Sequence, residues 1–522
     1  MTDATTPIPA RFRWLKRCAM AGLIGLVLLL GLRAVWGYVW HARFQAALQE
    51  IRDRGEPIDL ADFNPPPVDD ADNGAVWLRQ AMAAWPNVPG SSQSIIDTDW
   101  YLDPDLHADP ITDNAAYLAA LGPALELIDR AAAAPTSHWE TEPFVSPMLT
   151  NYQTDYLGEL GRLSQLMSDA AARAADDGEI EDAVGLAIRL HRLSFALYDA
   201  PVSLNDYLTR ISIQSRAVGW IEDQIVSLNN LAAKPPMLLL MEILVEESSS
   251  REMLRDAIIF QRMYTQNTIQ GLADGQIGYQ EIAFSFTPSL WDGPRRWLFR
   301  PLFYRDGCIL LDHYTRAIDA TGPSGSRDFS AFDAALSHLH DQPLTHPVAT
   351  ELPYSISWSE RMRNQHVTRQ RLARTALALK LYELEHGRVA PTLAALVPDY
   401  LDAVPVDPMD PAGGPLRYLP EGGEVTLPGY HWLTDEQVAE VESRRLPLIY
   451  SVGFNRVDDG GMMWLNHDGT PDQSSRSYHR DDGDVTDQWF LLAPVPEPIP
   501  DPDPYGFGGY GGFGPGSLYG EP

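Results

Sequence analysis

Apolar positions follow three regimes along the 522-residue chain. From Cys18 to Leu32 there is no charge, and after Arg33 the apolar run resumes from Ala34 to Trp40, giving 23 residues with one interruption. As a helix this stretch measures about 34 Å, enough to cross a hydrocarbon core of about 30 Å. Between residues 75 and 320, Ala, Leu and Arg recur at helical spacing with few strand-like runs, which predicts an all-helical domain. Beyond Gly387 the period shortens to strand-sized runs punctuated by Gly-Gly and Asp-Gly pairs, the pattern of a small antiparallel sheet.

Within the helical regime, residues 163–175, the turn Asp176-Asp177-Gly178 and residues 180–198 predict an αα-hairpin. Ala170, Ala174, Ala183 and Ala187 are small enough to let its helices close up. A tetratricopeptide-like repeat shows the same pattern, but no second copy recurs at a fixed period, so the hairpin is read as part of an irregular bundle. Further helices are expected at 203–227, 236–273 and 303–320, the last two separated by Trp291-Asp292-Gly293-Pro294. Residues 322–350 read as a loop with one short helix over 329–339. The segment 359–386 is again helical, with Ala373, Leu377, Leu381 and Leu384 on one stripe and Gly387 placed as its stop. Strands are expected at 416–418, 424–427, 448–452 and 462–465, with a short inserted helix from the capping box Thr434-Asp435-Glu436-Gln437 to about Ser443.

The fold class is therefore mainly α, and seven segments follow. They are a basic cytoplasmic tip (1–17), a transmembrane anchor (18–40), a helical stalk and Pro-rich entry (41–74), an all-helical extracytoplasmic domain (75–320), a linker (321–358), a small α+β module (359–493) and a disordered Pro/Gly/aromatic tail (494–522).

Charge sets the orientation. Arg11, Arg13, Lys16 and Arg17 precede the span against Asp3 alone, so the positive-inside rule keeps the N-terminus in the cytoplasm and exports the rest across the cytoplasmic membrane. Trp14 on one side and Trp36, Tyr38 and Trp40 on the other form interfacial belts, and Arg33 is expected to snorkel to the headgroups. A cleaved signal peptide has the same charged start and apolar middle, but only Val35-Trp36-Gly37 approaches its cleavage site, and a retained anchor is the preferred reading. Against 39 Lys and Arg stand 71 Asp and Glu, a net charge of −32 that would repel a polyphosphate and excludes nucleic acid as the main partner. Two cysteines, Cys18 and Cys308, cannot build a Cys-rich zinc site or a disulfide framework.

An ordered series of motifs follows position 379: Leu379 through Glu385 to His386-Gly387-Arg388, then Thr392 to Leu401, Val404-Pro405-Val406-Asp407-Pro408, Gly414-Pro415-Leu416-Arg417-Tyr418 and Tyr450-Ser451-Val452-Gly453. This series resembles the periplasmic domain of the major pseudopilins of type II secretion, over about residues 365–493. The resemblance implies a long helix ending in a Gly-Arg turn, a short helix, a Pro-rich loop and a small sheet closing over an acidic, calcium-binding loop. Pseudopilins polymerise through a helix that begins inside the membrane, directly after a prepilin peptidase site; here the span lies more than 300 residues upstream of the module, which argues against a filament subunit. The whole layout is similar to uncharacterised membrane-anchored bacterial proteins.

Candidate chemistry concentrates in Asp458, Asp459, Asp481, Asp482, Asp484 and Asp487, whose carboxylates on glycine-containing turns suit Ca2+, a cation that takes six to eight oxygens. The resemblance puts Asp458 and Asp459 in the acidic loop and 481–487 near its end. A merely solvated acidic loop is the alternative. His338, His340 and His346, near Asp333 and Asp341, form a weaker transition-metal candidate, because on a helix His338 and His340 point about 200° apart. No G-x-S-x-G elbow or H-E-x-x-H motif is present. Two functions are compatible with these features: a membrane-anchored scaffold that engages an extracytoplasmic protein partner, and an envelope hydrolase using acidic residues and a divalent ion.

Overall fold

The structure, a computed structural model, describes residues 10–64, 66–84, 114–139, 155–197, 203–225, 228, 234–244, 249–282, 294–321, 334, 336–339, 342, 344–352, 356–423, 446–453, 456–458, 460–461 and 488–492. The described residues are mainly helical. In chain order the helices are α1 (Ala10–Asp53), α2 (Gly74–Ala84), α3 (Asn114–Ala133), α4 (Asp155–Asp176), α5 (Ile180–Leu193), α6 (Leu204–Gln224), α7 (Lys234–Ile243), α8 (Ser249–Asp274), α9 (Pro294–Ala320) and α10 (Ile356–His386). The strands are β1 (Arg417–Gly423), β2 (Leu446–Ser451) and β3 (Gln488–Leu491). They pack as two compact units, Met1–Ala217 with Glu246–Arg363, and Val218–Val245 with Asn364–Pro522. This division differs from the expected segments: anchor and stalk belong to the first unit, and 218–245 joins the C-terminal one.

In the first unit, α1 is one uninterrupted helix of 44 residues joining the expected anchor and stalk, and it is long and apolar enough to cross a membrane. Its environment changes along its length. Met20, Leu23, Ile24, Val27 and Leu28 are each more than half exposed, whereas Phe44, Leu48 and Ile51 are buried. Those three pack with Leu254, Ile258 and Ile269 of α8 and Phe303, Leu310 and Tyr314 of α9 in one core. A second core joins Leu78 of α2, Ile128 of α3, Leu160 and Met167 of α4 and Leu190 of α5. The expected hairpin is α4 and α5, closed by Gly178 at φ +83°, with Ala170, Ala174, Ala183 and Ala187 fully buried between large residues.

Two helix boundaries depart from expectation. The stretch 236–273 forms α7 and α8 rather than one helix; the apolar run ends at Glu246-Glu247, and Ser249-Ser250 open α8, serine favouring helix starts. Helix α9 begins at Pro294, ahead of the expected 303, because proline at the first helical position is preset for the helix and its missing N–H costs nothing there.

The C-terminal unit is built on the later part of α10. Ala373, Leu377 and Leu381 are buried, and Gly387 at φ +65° donates its N–H to Glu383 O at 2.8 Å, ending the helix where the sequence places the stop. Arg369 Nε donates to Glu222 at 3.1 Å, and Lys234 pairs with Glu385, which ties 218–245 into this unit. The strands form an antiparallel sheet in the order β1-β2-β3, with Tyr418 opposite Ile449 and Ile449 opposite Phe490. The expected strands at 424–427 and 462–465, the inserted helix at 434–443 and the tail lie outside the described residues.

Candidate functional site

Among the described residues of the C-terminal unit, a network of three ion pairs is assembled around Arg417, the first residue of β1. Its guanidinium donates from Nη1 to Asp407 Oδ2 at 3.0 Å, from Nη2 to Asp410 Oδ2 at 2.9 Å and from Nε to Asp458 Oδ2 at 2.8 Å. Asp407 follows Pro405-Val406, whose backbone pairs antiparallel with the Gly414-Pro415 segment, and it opens the turn through Pro408-Met409: Asp407 N donates to Gly414 O at 2.8 Å and Leu416 N to Pro405 O at 3.0 Å. The Asp407 carboxylate is fully buried. It accepts from Met409 N at 2.9 Å, Ser451 Oγ at 2.7 Å, Val452 N at 3.0 Å and Arg417, so one anion binds its own loop, the end of β2 and the start of β1.

Asp410 caps the next turn by accepting from Ala412 N at 2.8 Å. A Cβ on Gly414 would lie 2.5 Å from Asp410 Oδ2, so a larger residue there would displace that carboxylate from Arg417. Asp458 accepts at Oδ1 from Tyr450 OH at 3.0 Å and Gly460 N at 3.1 Å. Gly460 and Gly461 hold φ values of +79° and +77°, and a Cβ on Gly461 would press on Leu448 and Tyr450.

The electrostatics follow from this arrangement. Burial opposes the charge on Arg417, but its bonds to Asp458 and Asp410 outweigh that and hold its pKa above the usual value. The bond from Arg417, helped by Ala412 N–H, keeps the Asp410 carboxyl below the ordinary carboxylate range. Partial burial pushes Asp458 up, yet Arg417, Gly460 N–H and Tyr450 OH together bring it below that range. Arg417 thus neutralises three carboxylates at once, each through a charge-assisted hydrogen bond.

Of the six predicted calcium ligands, Asp458 is committed to Arg417, and Asp459, Asp481, Asp482, Asp484 and Asp487 lie outside the described residues. Among the described residues no group of three His, Cys, Asp or Glu side chains could hold a metal ion. His338 is exposed, and His340, Asp333 and Asp341 lie outside the described residues. His346 has a different partner from those expected: its Nδ1 lies 3.0 Å from Oδ1 of Asp306, a fully buried residue of α9. Asp306 Oδ2 accepts from Val348 N at 2.9 Å and Ala349 N at 3.2 Å, and Arg305 pairs with its carboxylate at 3.2 Å.

Asp407 and Arg417 lie in the motif series after position 379, yet no local pattern assigns a role to them or to Asp410. The available signal was the Asp-Pro pair repeated at Asp407-Pro408 and Asp410-Pro411, followed by Gly413-Gly414. No protein-family model, curated protein or solved structure matches the chain.

Proposed function

We propose that this chain is a single-pass, membrane-anchored scaffold, with its N-terminus in the cytoplasm, its bulk in the extracytoplasmic space and a pseudopilin-like module at its C-terminal end that engages an envelope protein. The observation that carries the reading is the continuity of α1. One helix of 44 residues passes without a break from uncovered apolar side chains to the buried Phe44, Leu48 and Ile51. A rigid mount of this kind supports retention, since cleavage at Val35-Trp36-Gly37 would sever the helix just ahead of its core residues. The acidic side chains in the C-terminal cluster serve internal ties, which suits a scaffold better than a hydrolase. If calcium binds, Asp459, Asp481, Asp482, Asp484 and Asp487 are the residues to hold it, supplying carboxylate oxygens while Asp458 stays with Arg417.

The test is topology with retention. Protein isolated from host membranes should contain residues 1–40, and protease added to sealed spheroplasts should digest the chain beyond the span. A mature chain starting after Gly37, or full protection from added protease, would end this reading. Site-specific photocrosslinking from Val389 or Val457, both about half exposed, should yield a discrete envelope-protein adduct.

A further inference from the structure

Helix α9 accompanies the anchor below the point where the exported unit would be expected to leave the membrane. Arg33 donates to the carbonyl of Trp297, and its guanidinium carbon lies 4.6 Å from the Trp297 ring centroid. A Cβ on Gly37 would lie 3.7 Å from Pro301 Cγ. His41 meets Tyr304 edge to face with ring centroids 4.9 Å apart, and a Cβ on Gly307 would clash with Phe44 Cε2 at 2.6 Å. Farther along, Arg54 Nη1 donates to Asp319 at 3.3 Å. The partners ascend together in both helices, so α1 and α9 run parallel, and α9 starts beside Arg33.

Arg33 is seven residues short of Trp40, the outer end of the apolar run. At about 1.5 Å per residue the start of α9 therefore reaches about 10 Å toward the membrane from the level of Trp40. At that level Trp297 and Leu298 are 51% and 46% exposed, and Val35 and Trp36 of α1 are exposed as well. Arg33, in contrast, is 9% exposed, covered by Trp297 instead of reaching outward as the sequence predicts. A tryptophan with its carbonyl on a cation and its ring partly uncovered is suited to the membrane–water boundary, where an apolar body and polar neighbours are both accommodated.

We propose that the first turns of α9, Pro294 to Arg300, are seated in the extracytoplasmic interface of the same bilayer that α1 crosses, with Trp297 and Leu298 against lipid. The exported unit is then held at two places, by a spanning helix and by a seated helix end, which restricts rotation about the anchor. The inference rests on the reading of α1 as a retained span, and the experiment separates the two.

The full chain, reconstituted in phosphatidylcholine vesicles, carries a polarity-sensitive fluorescent amino acid singly at Leu28, Leu298 or Asp312. Leu28 is 67% exposed inside the apolar run, and Asp312, with a side chain 58% exposed, stands about 21 Å along α9 from Leu298. Blue-shifted emission and quenching by brominated acyl chains are expected at positions 28 and 298, with aqueous emission at 312. Lipid contact at 28 with aqueous emission at 298 overturns the seating and leaves the anchor standing. Aqueous emission at 28 overturns both. Because the probe at 298 could itself disturb packing, the unmodified protein is also photolabelled with a lipid-soluble diazirine. Label in the peptide carrying Trp297 and Leu298 supports the seating, and label confined to α1 overturns it.

Discussion

Asp306 in the helical unit and Asp407 in the C-terminal unit are both fully buried, and each pins a loop, yet they do so with different chemistry. Asp306 projects from α9 and receives the successive backbone amides of Val348 and Ala349, with Arg305 and His346 at its other oxygen. Asp407 is itself in the loop and receives two amides, a serine hydroxyl and Arg417, a cation it shares with Asp410 and Asp458. Burial pushes the Asp306 pKa up, with the Val348 and Ala349 amides offsetting part of it. Around Arg417 the balance goes the other way for the two outer acids. A buried carboxylate held largely by dipoles retains the cost of its charge, whereas one inside a guanidinium cluster depends on that charge.

The same conservative substitution at both positions breaks or sharpens this comparison. Asp407→Asn places an amide NH2 where two of four donors point, so it loses bonds to a charged group at a cost of about 2–3 kcal/mol. Asp306→Asn can keep a carbonyl oxygen on the Val348 and Ala349 amides, but its NH2 then faces Arg305 and His346; the lost contact to Arg305 is partly offset by removing a buried charge, so its cost is about 1–2 kcal/mol, below that at Asp407. Hydrogen exchange in β2 should rise strongly in the first variant, and exchange at Val348 and Ala349 only slightly in the second. Equal losses would show that both carboxylates act simply as acceptors.

Acid should separate the two regions in the same sense. The folded pKa values of Asp410 and Asp458 are depressed, so their contribution to stability is present above the unfolded value of about 3.9 and is lost as pH falls through the folded values. For Asp306 the folded pKa is raised, so its contribution is fully present below the unfolded value and is lost as pH rises through the folded one. Below about pH 4, protection in β1 and β2 should fall as pH drops, while Val348 and Ala349 keep theirs. Exchange corrected for its intrinsic pH dependence measures this, and parallel loss in both places would remove the distinction.

The parts of the molecule legible in the sequence are those whose determinants are local. An apolar run interrupted only at Arg33 reads as the first part of α1, an Ala-rich pattern around Gly178 as the α4–α5 hairpin, and the glycine after His386 as the end of α10. What escaped depends on residues far apart in the chain. Asp407 and Ser451 are 44 positions apart, and Arg33 and Trp297 are 264 apart, so no periodicity announces either contact. The grouping of 218–245 with the C-terminal unit rests on pairs such as Glu222 with Arg369, again invisible to local pattern. Strand β3 is four residues long and follows an acidic stretch, too short to show alternation.

The smallest effect is expected at Asp458, and it bears on calcium. Its side chain is 47% exposed, and an ion pair at that exposure contributes about 0–1 kcal/mol. Asp458→Asn keeps a carbonyl oxygen for Tyr450 OH and Gly460 N–H, and Arg417 retains Asp407 and Asp410. The variant should therefore lose less than about 1 kcal/mol. If calcium binds the native chain and not the unfolded one, it adds about 2.7 kcal/mol at a hundredfold excess over Kd. That gain should survive Asp458→Asn and disappear when Asp481, Asp482 and Asp484 are all changed to Asn, as read by melting in calcium against chelator at equal ionic strength. Loss of the calcium gain in Asp458→Asn alone would mean that the metal draws Asp458 away from Arg417, and the guanidinium would then be a stand-in for the cation rather than a permanent partner. Equal melting in calcium and chelator for the unmodified chain would leave the acidic residues as surface charge, with Arg417 as the cation of this cluster.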